Sequence, residues 1–255
     1  MTGARSRSAV SPEHLAALNA GTASAGTLSE ALVIDQDVLL DAVLPELATE
    51  ARARITAESG PGILRRMTTT GAVLAETVDD SSAALLAEHP SDTVRGWAAF
   101  RIGAAPAGSI AELLRAIRPF ADDAHFTVRE WSWMAVRPRL AAELDSSITE
   151  LTGWTADPSE RVRRFATESL RPRGVWAKRI PEFATAPERG LPLLTPLRAD
   201  PARMVQDSVA NWLNDAAKTR PDWVFALTER WLHESPVAAT ARIVTRARRS
   251  LPATP

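Results

Sequence analysis

The chain has 255 residues and a formal net charge of −1, so any affinity for a polyanion must come from uneven charge distribution. Cysteine is absent, which excludes disulfides, thiolate metal sites and a cysteine nucleophile. The four histidines (His14, His89, His125 and His233) are too scattered for metal-ligand spacing, and we expect no metal and no cofactor. The N-terminus lacks an apolar signal core and no apolar run approaches a membrane span, so we expect a soluble, cytoplasmic protein that does not bind membranes.

Residues 1–82 are predicted to form a loose arm and a helical cap. Apolar residues three or four positions apart predict helices at 12–18, 28–34, 38–44, 47–55, 63–78 and, beyond the cap, 83–88. The segment Gly60-Pro61-Gly62 predicts a break. No segment shows a sustained strand alternation, so we expect an all-α protein.

From residue 89 a motif recurs around the valines Val94, Val128, Val162 and Val205, at intervals of 34, 34 and 43 residues. Each copy combines a first helix, a polar turn and a second helix that opens near the valine; the first helices are predicted at 110–118, 148–155 and 191–197. This period is typical of HEAT-like units, which bury their apolar faces only by stacking. We therefore predict one continuous α-solenoid at 83–255, with the second helices lining a concave surface.

The third copy, residues 157–176, carries an unusual charge pattern. Val162 and Phe165 mark its buried face, whereas Arg164, Glu168 and Arg171 fall at i, i+4 and i+7 on another face. The helix is expected to close at Arg171, because a residue before proline avoids the α region. Glu168 is the one anion among seven cations: Arg161, Arg163, Arg164, Arg171, Arg173, Lys178 and Arg179.

The repeat register extends this pattern to the other copies. Positions +2, +6 and +9 from each valine are predicted to point away from the core. They hold Gly96, Phe100 and Gly103, then Glu130, Met134 and Arg137, then Arg164, Glu168 and Arg171, and finally Asp207, Asn211 and Asn214, followed by Asp215. The alternative is an ordinary charged solenoid surface, whose i, i+4 ion pairs stabilise by only about 0.2–0.5 kcal/mol each.

The tryptophans divide into two groups. Trp97 and Trp131 share the core position +3 with Phe165, and Trp212 also lies on a core face. Trp133, at +5, and Trp176, in the loop after the third copy, are predicted to be partly exposed. Indole rings beside arginines and carboxylates suit contact with a flat or cationic group. The alternative for both is a ring wedged between repeats.

Two motifs carry a family resemblance. The first is Arg163-Arg164-Phe165-Ala166-Thr167-Glu168-Ser169-Leu170-Arg171-Pro172-Arg173 with Trp176, and the second is Ser208-Val209-Ala210-Asn211-Trp212-Leu213-Asn214-Asp215. Both resemble signatures of the AlkC branch of the AlkC/AlkD superfamily of bacterial alkylpurine DNA glycosylases. The resemblance covers roughly residues 85–235.

The resemblance implies roles for particular residues. Glu168 and Asp215 correspond to the active-site carboxylates, Trp176 to an aromatic residue on the lesion side, and Arg164 and Arg171 to arginines that contact the DNA backbone. We extend the backbone role to Arg173, Arg137 and Lys218.

Two departures from the family pattern matter. Where the family has a further glutamate this chain has Trp133, and the nearest carboxylate is Glu130. Either Glu130 substitutes for it as a third catalytic carboxylate, or the protein uses two and Trp133 contacts the lesion. The chain also ends at Pro255 without room for the immunoglobulin-like domain of some members, so a short form is expected.

The implied function is a DNA glycosylase. We expect a monomer that acts on duplex DNA and hydrolyses the N-glycosidic bond of cationic alkylated bases such as 3-methyladenine, without conventional base flipping. The competing hypothesis is a non-catalytic HEAT-repeat adaptor that binds protein or DNA.

Overall fold

The computed structural model describes residues 6–59, 62–105, 108–174 and 176–251. These residues contain sixteen α-helices, two short 3-10 helices and no strand. The prediction of an all-α fold is confirmed for this part of the chain. None of its helices combines the length and apolar character needed to cross a membrane.

Seven helices precede the second repeat. They are α1 (Pro12–Asn19), α2 (Leu28–Ala31), α3 (Gln36–Val43), α4 (Thr49–Ser59), α5 (Ile63–Thr77), α6 (Asp80–Ala87) and α7 (Asp92–Ala104). All six helices predicted up to residue 88 are present, with their ends displaced by a few residues. Gly60 and Pro61 of the predicted break lie outside the described residues, and Gly62 takes a positive φ of 106° just before α5.

The repeats continue through nine further helices. They are α8 (Ile110–Ala121), α9 (Phe126–Ala142), α10 (Leu144–Trp154), α11 (Glu160–Glu168), α12 (Glu182–Thr185), α13 (Leu191–Leu194), α14 (Arg203–Ala216), α15 (Pro221–Glu234) and α16 (Ala238–Ala247). The 3-10 helices are Arg7–Ala9 and Pro187–Gly190. The chain forms two compact units, an N-terminal unit of residues 1–108 and 115–136 and a C-terminal unit of residues 109–114 and 137–255. The boundary predicted after residue 82 remains a prediction.

The N-terminal unit is held together by close helix packing. A Cβ on Gly71 of α5 would lie 2.4 Å from Phe100 Cβ of α7, so glycine is required for the two helices to approach this closely. Trp97 and Trp131 are buried, as the register predicted. Trp97 also donates its indole N–H to Gln36 Oε1 at 3.2 Å, which satisfies its polar group inside the core.

In the C-terminal unit the second helices of successive repeats lie side by side. Helix α11 packs against α14, and α14 packs against α16, while the first helices α10 and α13 also contact each other. This arrangement brings the two sequence motifs, one on α11 and one on α14, to adjacent helices.

The polar turn of every repeat is closed by the same hydrogen bonds. A side chain five residues before the valine accepts a backbone N–H two residues further on, and the side chain just after the valine donates to two turn carbonyls. The accepting residues are His89, Asp123, Asp157 and Asp200, and the donating residues are Arg95, Arg129, Arg163 and Gln206. Arg163, one of the seven cations near Glu168, is therefore a structural residue of the repeat.

Candidate functional site

The site begins where α11 ends. Ser159 caps the start of this helix by accepting the N–H of Arg161 at 3.3 Å, and the helix stops at Glu168. The expectation that it runs to Arg171 is wrong: Ser169 and Leu170 form a turn, and Arg171 lies beyond it. This early end frees the Arg171 side chain from the helical register and lets it return over the end of the helix.

Arg171 connects two buried carboxylates from successive repeats. Its Nη1 donates to Glu168 Oε1 at 2.8 Å. Its Nε and Nη2 donate to Asp215 Oδ2 at 3.0 and 2.8 Å. Glu168 is 3% exposed and Asp215 is 5% exposed, so the guanidinium compensates two charges that burial would otherwise penalise. We call Glu168 and Asp215 the carboxylate pair.

Glu168 is held in its ionised form. Burial acts to raise its pKa, but the charges of Arg164 and Arg171 and the hydrogen bonds from Arg171 and Ser208 outweigh burial and lower the pKa below its ordinary value of 4.5. Ser208 Oγ donates to Glu168 Oε2 at 2.7 Å, and Thr167 Oγ1 lies 2.8 Å from Ser208 Oγ. The charges of Arg164 and Arg171 therefore favour the ionised form of Glu168 at neutral pH.

The two carboxylates differ in the hydrogen bonds that their oxygens accept. Both oxygens of Glu168 accept short hydrogen bonds, from Arg171 and from Ser208. Asp215 Oδ2 accepts both bonds from Arg171, whereas its Oδ1 meets Lys218 Nζ at 3.5 Å. Because the Lys218 side chain is exposed, Asp215 Oδ1 is the oxygen of the pair with the weakest protein contact.

The loop that follows carries an exposed tryptophan. We define the aromatic loop as residues 169–174 and 176–180. Trp176 is 49% exposed and has a φ of 58°, a left-handed conformation that is unfavourable for a residue with a side chain. The loop is closed by Ile180 N–H, which donates to Pro172 O at 3.1 Å, and by Ala177 N–H, which donates to Gly174 O at 3.2 Å. The prediction of an exposed ring at Trp176 is confirmed.

Arg137 lies beneath this loop. It is 3% exposed, and its guanidinium donates to three backbone carbonyls, those of Ser169 at 2.7 Å, Arg171 at 2.6 Å and Lys178 at 3.1 Å. Burial and the nearby charge of Arg171 lower the pKa of Arg137 to about 10, so it remains a cation at neutral pH.

The expectation that positions +2, +6 and +9 point away from the core is wrong for Gly96 and for most residues at +6 and +9, whereas Gly103 and Asn211 are partly exposed. Phe100, Met134, Arg137, Glu168, Arg171 and Asn214 are all buried. At Arg137 and Arg171 the cause is the aromatic loop and the carboxylate pair, which occupy their donors. The sequence suggested that Arg137 and Arg171 contact the DNA backbone. Because both are buried, they are not surface cations.

The remaining three predicted DNA-binding cations are accessible to different degrees. Lys218 is exposed, and Arg164 and Arg173 are partly exposed. Arg164 Nη2 also lies 3.8 Å from Glu168 Oε2, so the charge of this partly exposed arginine acts on the carboxylate pair.

Glu130 and Trp133 belong to the N-terminal unit. The expectation that Trp133 is partly exposed is wrong, because the ring is 1% exposed. Its indole N–H donates to Glu130 Oε2 at 2.8 Å. The side chain three residues earlier thus supplies the hydrogen bond that a buried indole needs.

Sequence reasoning missed the role of Ser208 in the site and gave Arg137 the wrong surroundings. Ser208 occupies register position +3, where the other copies have Trp97, Trp131 and Phe165. A small polar residue at a core position indicates a buried polar partner. In this structure that partner is Glu168. The contacts of Arg137 had no such signal, because its partners are backbone carbonyls of a loop.

The arrangement favours chemistry on a cation. A buried anionic pair can stabilise developing positive charge and orient a water molecule. Within the described ranges there is no group of three or more histidine, aspartate or glutamate side chains suited to hold a metal ion.

A family model and a curated protein both match this chain. A family model described as DNA alkylation repair enzyme matches residues 107–246. The uncharacterised protein YhaZ of Bacillus subtilis (strain 168) is 39% identical over 111 residues, which cover 44% of this chain and 31% of YhaZ.

Two solved structures share the fold. The alkylpurine DNA glycosylase AlkC of Pseudomonas fluorescens, bound to DNA containing an abasic site analog, aligns with a TM-score of 0.67 and 24% identity over 97% of this chain and 65% of AlkC. AlkD2 of Streptococcus mutans aligns with a TM-score of 0.63 and 21% identity over 80% of this chain and 98% of AlkD2. This chain thus spans about a third of YhaZ and just under two thirds of AlkC. At these identities the two structures establish the helical-repeat fold alone. Because the family model covers more than half of the chain, the protein belongs to the DNA alkylation repair enzyme family.

Proposed function

We propose that this protein is a DNA glycosylase that hydrolyses the N-glycosidic bond of cationic alkylated bases, such as 3-methyladenine, in duplex DNA. The observation that carries the proposal is the buried carboxylate pair, which is supplied by successive repeats and joined through Arg171. Its position within the residues matched by the DNA alkylation repair model supports this function.

The chemistry requires little acid catalysis. Alkylation at a ring nitrogen makes the base cationic, and it leaves as a neutral molecule when the glycosidic electron pair moves to it. The sugar then develops oxocarbenium character, as in glycoside hydrolysis generally. Water adds to the anomeric carbon and loses a proton, which yields an abasic site and the free base. The enzyme must supply negative charge near the sugar and a positioned water.

The two carboxylates have different roles in this proposal. Asp215 faces the sugar and orients the water through Oδ1, because that oxygen has the weakest protein contact. Glu168 has both oxygens engaged and contributes chiefly its negative charge. Since Arg171 links them, loss of either carboxylate affects the other, and their effects are not independent.

The surroundings serve to hold the DNA. Trp176 presents an exposed ring to the cationic base, an attraction worth about 0.5–2 kcal/mol. Arg164, Arg173 and Lys218 contact phosphates without reading sequence. The base is approached while it is still largely stacked in the DNA duplex. The DNA lies along a groove formed by the second α-helices of the repeats.

Base release from methylated duplex DNA tests the proposal. Glu168→Gln and Asp215→Asn each remove a charge while keeping the side-chain shape. Each should lower the single-turnover release of 3-methyladenine by on the order of 10²-fold, because the lost charge acts on the transition state. The double variant should cost much less than the product of the two single losses. DNA affinity should be largely kept, and released bases are quantified by chromatography.

Glu234→Gln provides the matched control, since Glu234 is an exposed carboxylate that pairs with Arg230. Glu130→Gln addresses the third carboxylate. Lowered excision with an unchanged melting temperature would assign Glu130 a catalytic role, and full activity would leave a two-carboxylate site. If the folded double variant released bases at the wild-type rate, a non-catalytic DNA- or protein-binding repeat would replace the glycosylase.

A further inference from the structure

Arg137 is a buried cation to which the proposed reaction assigns no role. Its hydrogen bonds go to backbone carbonyls at both ends of the aromatic loop: Ser169 and Arg171 on one side of Trp176 and Lys178 on the other. Gly174 also lies against it, because a Cβ at that position would be 3.2 Å from Arg137 Cζ. One guanidinium therefore fixes the loop at its beginning, at its middle and near its end.

The loop requires such a contact. Trp176 adopts a left-handed φ of 58°, which is unfavourable for a non-glycine residue and persists where the surroundings determine the backbone. The closing bonds of Ile180 and Ala177 join backbone groups of the loop to one another. Arg137 adds three donors from the protein interior.

The same guanidinium also connects to the carboxylate pair. Arg137 binds the carbonyl of Arg171, whose side chain donates to both Glu168 and Asp215. The negative charges of this pair favour protonated Arg137 and oppose the effect of its burial. A shift of Arg137 would thus move the backbone of Arg171 and the loop of Trp176 together.

We propose that Arg137 is a positioning residue, which holds the Trp176 ring and the carboxylate pair in one fixed geometry. It touches neither base nor sugar and acts through Arg171 and the aromatic loop. A misplacement of about 1 Å can lower an enzymatic rate on the order of 10²-fold, so its loss should appear in the rate of chemistry and not in DNA affinity. The catalytic part of this inference rests on the proposed glycosylase function.

The test separates loop geometry from catalysis. The protein is labelled with 5-fluorotryptophan, and the Trp176 resonance is assigned by its loss in Trp176→Phe. In Arg137→Gln this resonance should move toward its solvent-exposed position and sharpen, while those of the buried tryptophans stay. Single-turnover base release should fall on the order of 10²-fold with unchanged affinity for duplex DNA.

Three companion variants sharpen the result. Arg137→Lys keeps the charge, but its ammonium group lacks the planar guanidinium geometry that reaches three carbonyls. This variant should recover only part of the rate of base release. Gly174→Ala adds a methyl group 3.0 Å from Ala177 Cβ and 3.2 Å from Arg137 Cζ, and should shift the same resonance. Arg137→Lys decides the matter if Arg137→Gln does not fold. Arg95→Gln removes a comparable donor to turn carbonyls in the N-terminal unit, and should change neither readout.

The outcomes are distinct. An unchanged Trp176 resonance and rate in folded Arg137→Gln would overturn the proposal. So would an equal loss of rate in Arg95→Gln, since the effect would then be general destabilisation. A wild-type protein that releases no base would refute the glycosylase function, and the Trp176 resonance would still decide whether Arg137 holds the loop.

Discussion

Arg171 is the residue on which the candidate site depends most directly. Three of its donors bind two carboxylates that are themselves buried, and the opposite charges raise its pKa even though burial lowers it. Removing one partner of a buried ion pair leaves the other charge uncompensated, and such losses cost about 3–5 kcal/mol. The carboxylate pair is therefore part of the stability of the repeat as well as a candidate for chemistry.

This dual role predicts a specific dependence of stability on pH. The folded-state pKa of Glu168 lies below its ordinary value of 4.5, so folding favours its ionised form. The resulting stabilisation is complete above the unfolded-state pKa and is lost as pH falls through the lower folded-state value.

Urea unfolding of wild type and Glu168→Gln, followed by circular dichroism, measures this effect. At neutral pH the variant should unfold more easily, because Arg164 and Arg171 lose a counter-charge. The difference in unfolding free energy should narrow as pH is lowered below about 4.5. A constant difference across that range would contradict the ionised state of Glu168. Glu234→Gln serves again as the exposed control.

At the scale of the element, each repeat is closed by a side chain that follows its valine. Arg163 shows both functions of this position: it donates to the carbonyls of Asp157 and Pro158, and its Nε donates at 2.7 Å to Asp200 of the next repeat. In the fourth copy Gln206 performs the first function with its amide. The motif thus closes a turn and, where it is arginine, can also bind the following repeat.

The variant Arg163→Gln should separate these two functions. Glutamine can still bind the turn carbonyls, as Gln206 does, but cannot pair with Asp200. Because a hydrogen bond to a charged group contributes about 1.5–3 kcal/mol, the free energy of unfolding should fall by that amount. Base release per folded molecule should not change.

Denaturant titration measures the loss, and Arg163→Met, which removes both functions, should cost more. Equal stability of wild type and Arg163→Gln would mean that the Asp200 pair contributes nothing.

At the scale of the whole molecule, charge is nearly balanced but unevenly distributed. The net charge is −1, yet seven cations and one anion fall between residues 161 and 179. The structure reduces the number available to a ligand, because Arg171 is buried against the carboxylate pair and Arg163 binds its own repeat. Of the other five, Arg161, Arg164 and Arg173 are partly exposed, and Lys178 and Arg179 are exposed. Arg164 and Arg173, together with the exposed Lys218 outside this range, are the candidates for phosphate contacts that the sequence named.

DNA binding should therefore depend on salt through these accessible cations. Each phosphate contact contributes about 0.9 to the slope of log affinity against log salt, so Arg164→Ala and Lys218→Ala should each reduce the slope by about 1. The loss should be equal for damaged and undamaged duplex, since phosphate contacts carry no sequence information.

Fluorescence anisotropy at several salt concentrations gives these slopes. Arg230→Ala is the control, because Arg230 is an exposed arginine on the first helix of the last pair. Unchanged slopes in both test variants would remove these residues from the DNA interface.

The sequence alone determined the helical repeats, the buried face of each second helix and the two motifs that carry the carboxylates. It did so because helical periodicity and the repeat interval depend on local spacing. Core residues such as Trp97 and Trp212 followed from that register. So did the placement of Glu168 and Asp215 on neighbouring helices, since second helices of successive repeats must stack to bury their apolar faces.

Only the tertiary structure decided which polar positions are covered. In the repeat register Glu168 (+6) and Arg137 (+9) lie on a face that the sequence predicts to be exposed. In the structure the aromatic loop covers Arg137 and α14 covers Glu168. That loop lies in the longest interval between valines, where the repeat pattern gives no prediction of its path. Long-range contacts of Arg137 with loop carbonyls depend on this path and not on local spacing, which is why its burial could not be predicted from the sequence.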